Sequence, residues 1–548
     1  MSAAEEVPVL IVGAGLAGLS AAVFLSAHGV ACQVVERATG PSPLPRFRGL
    51  TVRSMELFRS VGLSGAIERA GTPGGDIGGI ARVRNLSAPG AVWETAAWED
   101  DAAGLSPADA CACDQNVLEP ILAEHAVRHG AVLRYGVEVT GLQDGEPAAL
   151  VRLRERASGA ESVVPARYVI AADGAGSTVR RLLGVARHGP GVLGHQVSVV
   201  FEAELAAELE GRRFGACYVE DVGGALLPRD GGLWQLSVSY DPDRGEGPQD
   251  FTEERCLRLI ETALGRPEPT ARVRGVGPWD VAAAVADRFR AGRVFLAGDA
   301  AHVMPPSGGF GGNTGIQDVH NLAWKLAAVL DGTAGTDLLD SYDQERRPVA
   351  DLTLVHALAR MPLSWLAADG AAPPPLPPQL PHNTVSLGYL YPPHPGGGGT
   401  ENPREPSGRP GSRAAHLPVE TAGGRTSTLD LFGPGWTLLT SAPGWSEAVA
   451  KAAADRPGLR LSEHRAGPGG DVRDLTGRWA TAFGTGRDGA TLVRPDGFVA
   501  WRAQALPADP AAELSAALAG ALMIEGALRA WSGAEPASPP RTPPGTPA

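Results

Sequence analysis

The 548-residue chain has no apolar run long enough to cross a bilayer, which takes about 20 residues. Met1 to Val7 is short and acidic and lacks the pattern of a secretory leader. There are only five cysteines, Cys32, Cys111, Cys113, Cys217 and Cys256, and no CxxC among them. That excludes a disulfide framework and a dithiol redox centre, and a reducing cytoplasm is the expected compartment. No metal site is expected. The chain carries no basic run and a net charge of −13, so neither nucleic acid nor a membrane is an expected partner. No internal repeat is visible. What is plentiful is apolar residues, at 43%, enough for sizeable cores. The length implies two or three domains.

Two glycine-rich stretches stand out. In the first, Val7 to Val12 reads as a strand, followed by Gly13-Ala14-Gly15-Leu16-Ala17-Gly18, a helix from Leu16 to His28, and a second strand ending at Glu36-Arg37. This is the dinucleotide fingerprint in its strand–turn–helix–strand setting. Gly13 makes the turn, Gly15 lets a pyrophosphate approach, Gly18 lets helix pack on strand, and Glu36 is placed for ribose hydroxyls. The second runs from Gly292 to Leu330. Val294 to Ala297 reads as a buried strand ending in Gly298-Asp299, and Pro305-Pro306 then forbids helix. Ser307 to Gly312 is mostly glycine, and Thr314 to Leu330 has apolar residues at helical spacing. The expected helix therefore starts at a bare loop with Asn313-Thr314 as its cap. Such an end attracts negative charge.

A third motif lies between them, Asp173-Gly174-Ala-Gly-Ser177-Thr-Val-Arg180. GxGxxG, DGxxSxxR and GDAAHxxPP, in this order and spacing, resemble the single-component FAD-dependent aromatic hydroxylases typified by para-hydroxybenzoate hydroxylase. The resemblance covers roughly the first 395 residues. It implies non-covalent FAD and NAD(P)H as a transient co-substrate. It implies that Arg46 lies near the flavin and its pyrophosphate, that Gln115 contacts the ribityl chain, and that Val139 sits beside the adenine. Asp173 joins the cofactor site, and the Asp299 carboxylate meets ribityl hydroxyls. Pro306 would lie close to the reactive carbon. The N–H groups of Gly312 and Asn313, with Gly311 beside them, would point at the pyrimidine end of the ring, where a reduced flavin carries its charge. Plain alternatives stay open: surface charge for Arg46 and Arg53, a helix cap for Gln115, and a packing role for His302.

The coarse layout is an α/β chain. A Rossmann-type FAD-binding domain is assembled from residues 1–75, 105–184 and 279–395. A substrate domain takes 76–104 and an antiparallel sheet within 185–278. In that sheet Trp234, Leu236, Val238 and Tyr240 alternate with Gln235, Ser237 and Ser239, one face greasy and one rich in hydroxyls. Which face meets substrate is not readable. A Pro/Gly-rich linker (396–411) leads to a C-terminal domain (412–532), and the chain ends in a Pro-rich tail (533–548), expected to be disordered. The strand and helix order of 412–532 resembles a thioredoxin-like domain without its CxxC, as in the subgroup acting on phenols and aromatic polyketides.

The resemblance implies an NAD(P)H-consuming monooxygenase that uses dioxygen through a flavin C4a-hydroperoxide to hydroxylate an aromatic, polycyclic polyketide. No second fingerprint sits between strand and helix, so NAD(P)H has no Rossmann domain of its own. A flavin halogenase would show WxWxIP, which Trp93 and Trp98 do not form. A disulfide reductase would need paired cysteines. Baeyer–Villiger insertion, epoxidation and a non-enzymatic flavin-binding module remain as alternatives, and homodimerisation is left open.

Overall fold

The computed structural model describes residues 6–74, 79–89, 92–94, 102–205, 209, 214–361, 376–392 and 398–523, with no side-chain detail for 92–94. The first strand, Val7–Val12, is apolar throughout and buried along most of its length, as a central parallel strand must be. It pairs in parallel with Cys32–Glu36 on one side and Glu161–Ala171 on the other. Val294–Leu296 extends the parallel order beyond Glu161–Ala171. Gly13, Glu36, Asp173 and Asp299 therefore cluster at or just past the carboxyl ends of four parallel strands. Open α/β sheets bind ligands at that edge. Helix α1 (Leu16–Ala27) and the helix Phe310–Leu330 pack on this sheet and on one another.

The second sheet has eight strands in the order His302–Val303, Arg272–Ala286, Arg187–Glu202, Leu233–Tyr240, Gly224–Pro228, Phe214–Val219, Gly79–Val83, Val92–Glu94. The predicted alternation holds. Val197, Val199, Phe201, Leu236 and Val238 pack under the helix Glu253–Leu264 through Phe251, Cys256, Ile260 and Leu264. The opposite face, with Gln196, Ser198, Gln235 and Ser237, is turned towards the flavin-domain side, where Trp279 packs on the main core. Arg272–Ala286 carries little sequence signal, because Gly275, Gly277 and Pro278 interrupt its alternation. Gly275 is a matter of space: a Cβ there would stand 2.4 Å from Leu44 Cδ2.

The C-terminal domain has a four-stranded sheet ordered Leu461–Arg465, Trp436–Thr440, Ala490–Val493, Val499–Ala503, the first pair parallel and the rest antiparallel. With helices Ser446–Asp455, Trp479–Phe483 and Pro510–Ala521, this is the thioredoxin-like order.

The described part of the segment expected to be a linker, 398–411, is packed against its neighbours at Gly408 and Gly411. Tyr391 stacks on Phe498 with centroids 4.1 Å apart. A Cβ on Gly408 would lie 2.2 Å from Phe483, and one on Gly411 2.1 Å from the Tyr391 carbonyl oxygen. The glycines there serve close approach rather than flexibility. Residues 371–375, 393–397, Trp98 and the 533–548 tail lie outside the described residues. No described helix is long and apolar enough to cross a membrane.

Candidate active site

The fingerprint turn is built by two steric demands. Gly13 has φ +102°, and a Cβ on it would lie 2.3 Å from the Ala172 carbonyl oxygen; a Cβ on Gly18 would lie 1.9 Å from the Gly13 carbonyl oxygen. Glu36 folds over this turn. Its carboxylate accepts from Ala14 N–H at 2.9 Å and Ala38 N–H at 2.7 Å, and each oxygen keeps a lone pair for a hydroxyl group. Arg37 is exposed beside it.

Helix α2 (Val52–Ser60), helix α3 (Gln115–Arg128), helix α4 (Glu253–Leu264), helix α5 (Phe310–Leu330) and helix α6 (Asp340–Ala359) complete the frame. Helix α5 begins four residues earlier than expected. Gly309, at φ +64°, is its N-cap, and the open N–H groups are those of Phe310, Gly311 and Gly312. Asn313 falls at the fourth position and acts through its side chain. Its Oδ1 accepts from Thr51 N–H at 2.9 Å and Ser54 Oγ at 2.6 Å, while Nδ2 donates to the Gly49 and Gly309 carbonyls at 2.8 and 2.7 Å. The helix runs through Gly311-Gly312, and at Gly312 a neighbour fills the space a side chain would take. A Cβ on Gly312 would meet Phe47 at 2.7 Å and Leu16 at 3.1 Å, whereas one on Gly311 has room.

The loop before α5 is held. His382 Nε2 donates to the Gly308 carbonyl at 2.9 Å, and Phe310 lies between His382 and Arg360. Pro306 is exposed. Asp299 opens onto the same face, accessible there but walled by protein elsewhere. Burial raises its carboxyl above the usual range, against the pull of His302 and Arg46. Arg46 is exposed and within electrostatic reach of both Asp299 and Glu119. Gln115 reaches Glu119, and its backbone N–H donates to the Phe47 carbonyl at 2.8 Å.

Three further residues are committed to the protein itself. The Asp173 carboxylate is taken up by its own turn, accepting from Ser177 Oγ at 2.5 Å and Val179 N–H at 3.1 Å. Val139 is buried in the flavin-domain core. His302 is sealed, with Nε2 2.7 Å from Asp318 Oδ2, and Arg346 holds the other oxygen of Asp318 at 2.9 Å. No substrate reaches it, so the packing role holds. Among the described residues no cluster suits a metal.

The polar face of the second sheet carries a hydrogen-bond network centred on Gln235 and Ser198. Arg229 donates twice to Gln235 Oε1, at 3.0 and 2.6 Å. That fixes the amide, so Gln235 Nε2 donates to Ser198 Oγ at 2.7 Å and Ser237 Oγ at 2.9 Å. Trp279 Nε1 also donates to Ser198 Oγ, at 2.9 Å. With both its acceptor positions filled, Ser198 must donate to Ser237, 3.1 Å away. Ser237 then accepts twice, and its own hydroxyl hydrogen is uncommitted within the network. Arg229 also ties the sheet to α3 by donating to Asp114 at 3.0 Å.

The geometry agrees with the comparisons. The FAD binding domain family matches residues 6–357 and the aromatic-ring hydroxylase C-terminal family matches 407–522. The chain belongs to the FAD-dependent aromatic-ring hydroxylases. The enzyme is 41% identical over 550 residues to a tetracenomycin A2 monooxygenase-dioxygenase of Streptomyces glaucescens, covering 94% of this chain and 96% of that one. It is 40% identical over 545 residues to an aklavinone 12-hydroxylase of Streptomyces purpurascens, covering 94% and 98%. A crystal structure of aklavinone-11 hydroxylase with FAD and aklavinone superposes with a TM-score of 0.86 at 37% identity, covering 95% of this chain and all of that one. The enzyme is thus a flavin-dependent monooxygenase with FAD as cofactor.

Two features of the site left no sequence signal. One is Glu119, a buried carboxyl beside the fingerprint turn, whose ionisation burial opposes. The other is Arg229, which organises the polar network. Each is an ordinary charged residue on an ordinary element until the fold brings its partners together.

The residues fit FAD. Gly13 and Gly18 leave no room for side chains, Asp299 is exposed just past its strand end, and the α5 end presents open N–H groups.

Proposed function

We propose that the enzyme hydroxylates an aromatic, polycyclic polyketide, with NAD(P)H as reductant and dioxygen as oxygen source. The observation that carries this reading is the tie of the hydroxyl-rich sheet face, through Arg229, to Asp114 at the start of α3 in the flavin domain. The relatives named above, acting on tetracenomycin and aklavinone, support the substrate class.

In this reading the turn from Gly13 through Gly15, Leu16 and Ala17 to Gly18 sets the pyrophosphate against the N-terminus of α1, with Arg46 as its countercharge. Glu36 and Arg37 take the ribose side and the strand of Val139 flanks the adenine. Gln115 and Asp299 hydrogen-bond the ribityl chain, while Asp173 shapes the neighbouring turn. Bound FAD supplies the acceptor for hydride from NAD(P)H and the centre that activates dioxygen. Gly311 and Gly312 direct N–H groups towards the pyrimidine edge and favour negative charge there without a charged side chain. Pro306 lines the approach to the ring. The Ser237 hydroxyl donates to an oxygen substituent of the substrate.

The test is FAD release and turnover. Acid precipitation should leave the yellow colour in the supernatant, and polycyclic phenols should stimulate NAD(P)H oxidation. FAD binding without any substrate-stimulated oxidation would favour a flavin-binding module.

A further inference from the structure

We infer that the C-terminal domain sets the geometry of the flavin site by clamping α2 and α5, the two helices whose N-terminal ends meet at Asn313. This rests on the reading above that the end of α5 faces the flavin.

The clamp is the turn Arg494–Asp496. The Asp496 backbone carbonyl accepts from Arg53 of α2 at 3.0 Å. Its carboxylate Oδ2 accepts from Trp324 Nε1 at 3.2 Å and Asn321 Nδ2 at 3.4 Å, both on α5. One residue of the C-terminal domain thus bridges the two helices. Arg494 braces the turn by pairing with Asp496 and with Glu345 of α6. Glu345 also takes Lys325 of α5 at 2.7 Å. These groups are buried or nearly so. Buried charges are costly unless each has its partner, so this contact tolerates one register.

Helix α2 transmits the constraint. Thr51 and Ser54 hold the Asn313 side chain. Arg53 and Glu56 face the other way, Arg53 to Asp496 and Glu56 to Arg413 of the C-terminal domain. At about 100° per residue the two pairs lie on nearly opposite sides of the helix. A displacement of Arg53 therefore moves Thr51 and Ser54, and with them the end of α5. Arg53 and Asp496 are positioning residues, and neither is placed against the flavin.

The same helix supplies a control. Arg59, in its last turn, pairs with Asp430 of the C-terminal domain at 2.8 Å, exposed and remote from Asn313. Five variants, Arg53→Met, Arg53→Lys, Trp324→Phe, Asn313→Ala and Asp430→Asn, should be compared with the parent enzyme. The readouts are FAD affinity of the apoprotein and the two-electron reduction potential of the loaded protein. Arg53→Met and Asn313→Ala should each weaken FAD about tenfold and make the flavin harder to reduce, with Arg53→Lys recovering part of both. Trp324→Phe changes no charge and should move both readouts the same way by less. It also carries the test if Arg53→Met does not fold. Asp430→Asn should leave both readouts unchanged. Parental values in Arg53→Met and Trp324→Phe, with Asn313→Ala shifted, would overturn the clamp and leave the flavin placement standing. Parental values in Asn313→Ala as well would show that α5 does not face the flavin, and the clamp falls with that reading. Equal shifts in Asp430→Asn and Arg53→Met would reduce the contact to general domain docking.

Discussion

Gln115 donates its side-chain N–H to Glu119 Oε1 at 2.6 Å, one turn along α3. The same oxygen lies 3.8 Å from where a Cβ on Gly15 would stand, beside the turn that receives the pyrophosphate. Burial raises the Glu119 carboxyl, against the pull of Gln115 and Arg46. A bound pyrophosphate adds negative charge and favours the protonated form further. FAD binding should therefore take up a proton and tighten as pH falls from neutrality towards the ordinary carboxylate range. Glu119→Gln should abolish that dependence. Titrations of apoprotein with FAD across this range check it, and an unchanged slope in the variant contradicts it.

The glycines of the α5 end should separate by function. Gly311→Ala has room and should leave FAD affinity near the parent value. Gly312→Ala drives a methyl into Phe47, whose carbonyl anchors Gln115, and should weaken FAD clearly. Gly309→Val forces a β-branched residue to φ +64° and should destabilise the fold by about 1–2 kcal/mol. Thermal unfolding and FAD titration distinguish the three. Equal behaviour of Gly311→Ala and Gly312→Ala would contradict the packing account.

Ser237→Ala removes the donor left over in the sheet network. KM for the aromatic substrate should rise by about two- to tenfold, the worth of ~0.5–1.5 kcal/mol for one hydrogen bond. FAD affinity should not change. Steady-state kinetics on an accepted substrate decide, and an unaltered KM removes Ser237 from substrate contact.

The five cysteines are free and buried. Burial pushes Cys217 from the ordinary 9.0 up to about 12, and Cys32 and Cys113 likewise. Raised thiols stabilise the fold fully below pH 9.0 and lose that contribution as pH climbs towards 12. Lys325, lowered by burial to about 8, acts in the opposite sense between 8 and 10.5. Stability should fall most steeply above that window. At neutral pH the folded protein should be inert to a thiol reagent and titrate five thiols once unfolded. A thiol that reacts in the folded state, with loss of hydroxylation, would contradict the absence of a redox role.

Much of the site was legible because it is local. Gly13, Gly18 and Glu36 act on neighbours within one strand–turn–helix–strand unit, and short chain separations leave a pattern. The polar and apolar faces of Leu233–Tyr240 were legible for the same reason. What was not legible depends on distance along the chain. Arg53 reads as surface charge because its partner Asp496 is 443 residues away. The early start of α5 is masked by Gly311-Gly312, poor helix formers, of which Gly312 is there because Phe47 needs the space. Gly408 and Gly411 read as linker for the same reason, since composition does not separate a glycine chosen for freedom from one chosen for close approach.

The central claim is hydroxylation of a polycyclic aromatic by this flavin site. The most direct test is turnover of an accepted polycyclic phenol with NAD(P)H under isotopically labelled dioxygen, followed by mass spectrometry and NMR of the product. The account predicts one labelled oxygen as a new hydroxyl on a ring carbon for each NAD(P)H consumed in coupled turnover. Label found as an inserted ester oxygen or an epoxide, or product oxygen drawn from water, would contradict it.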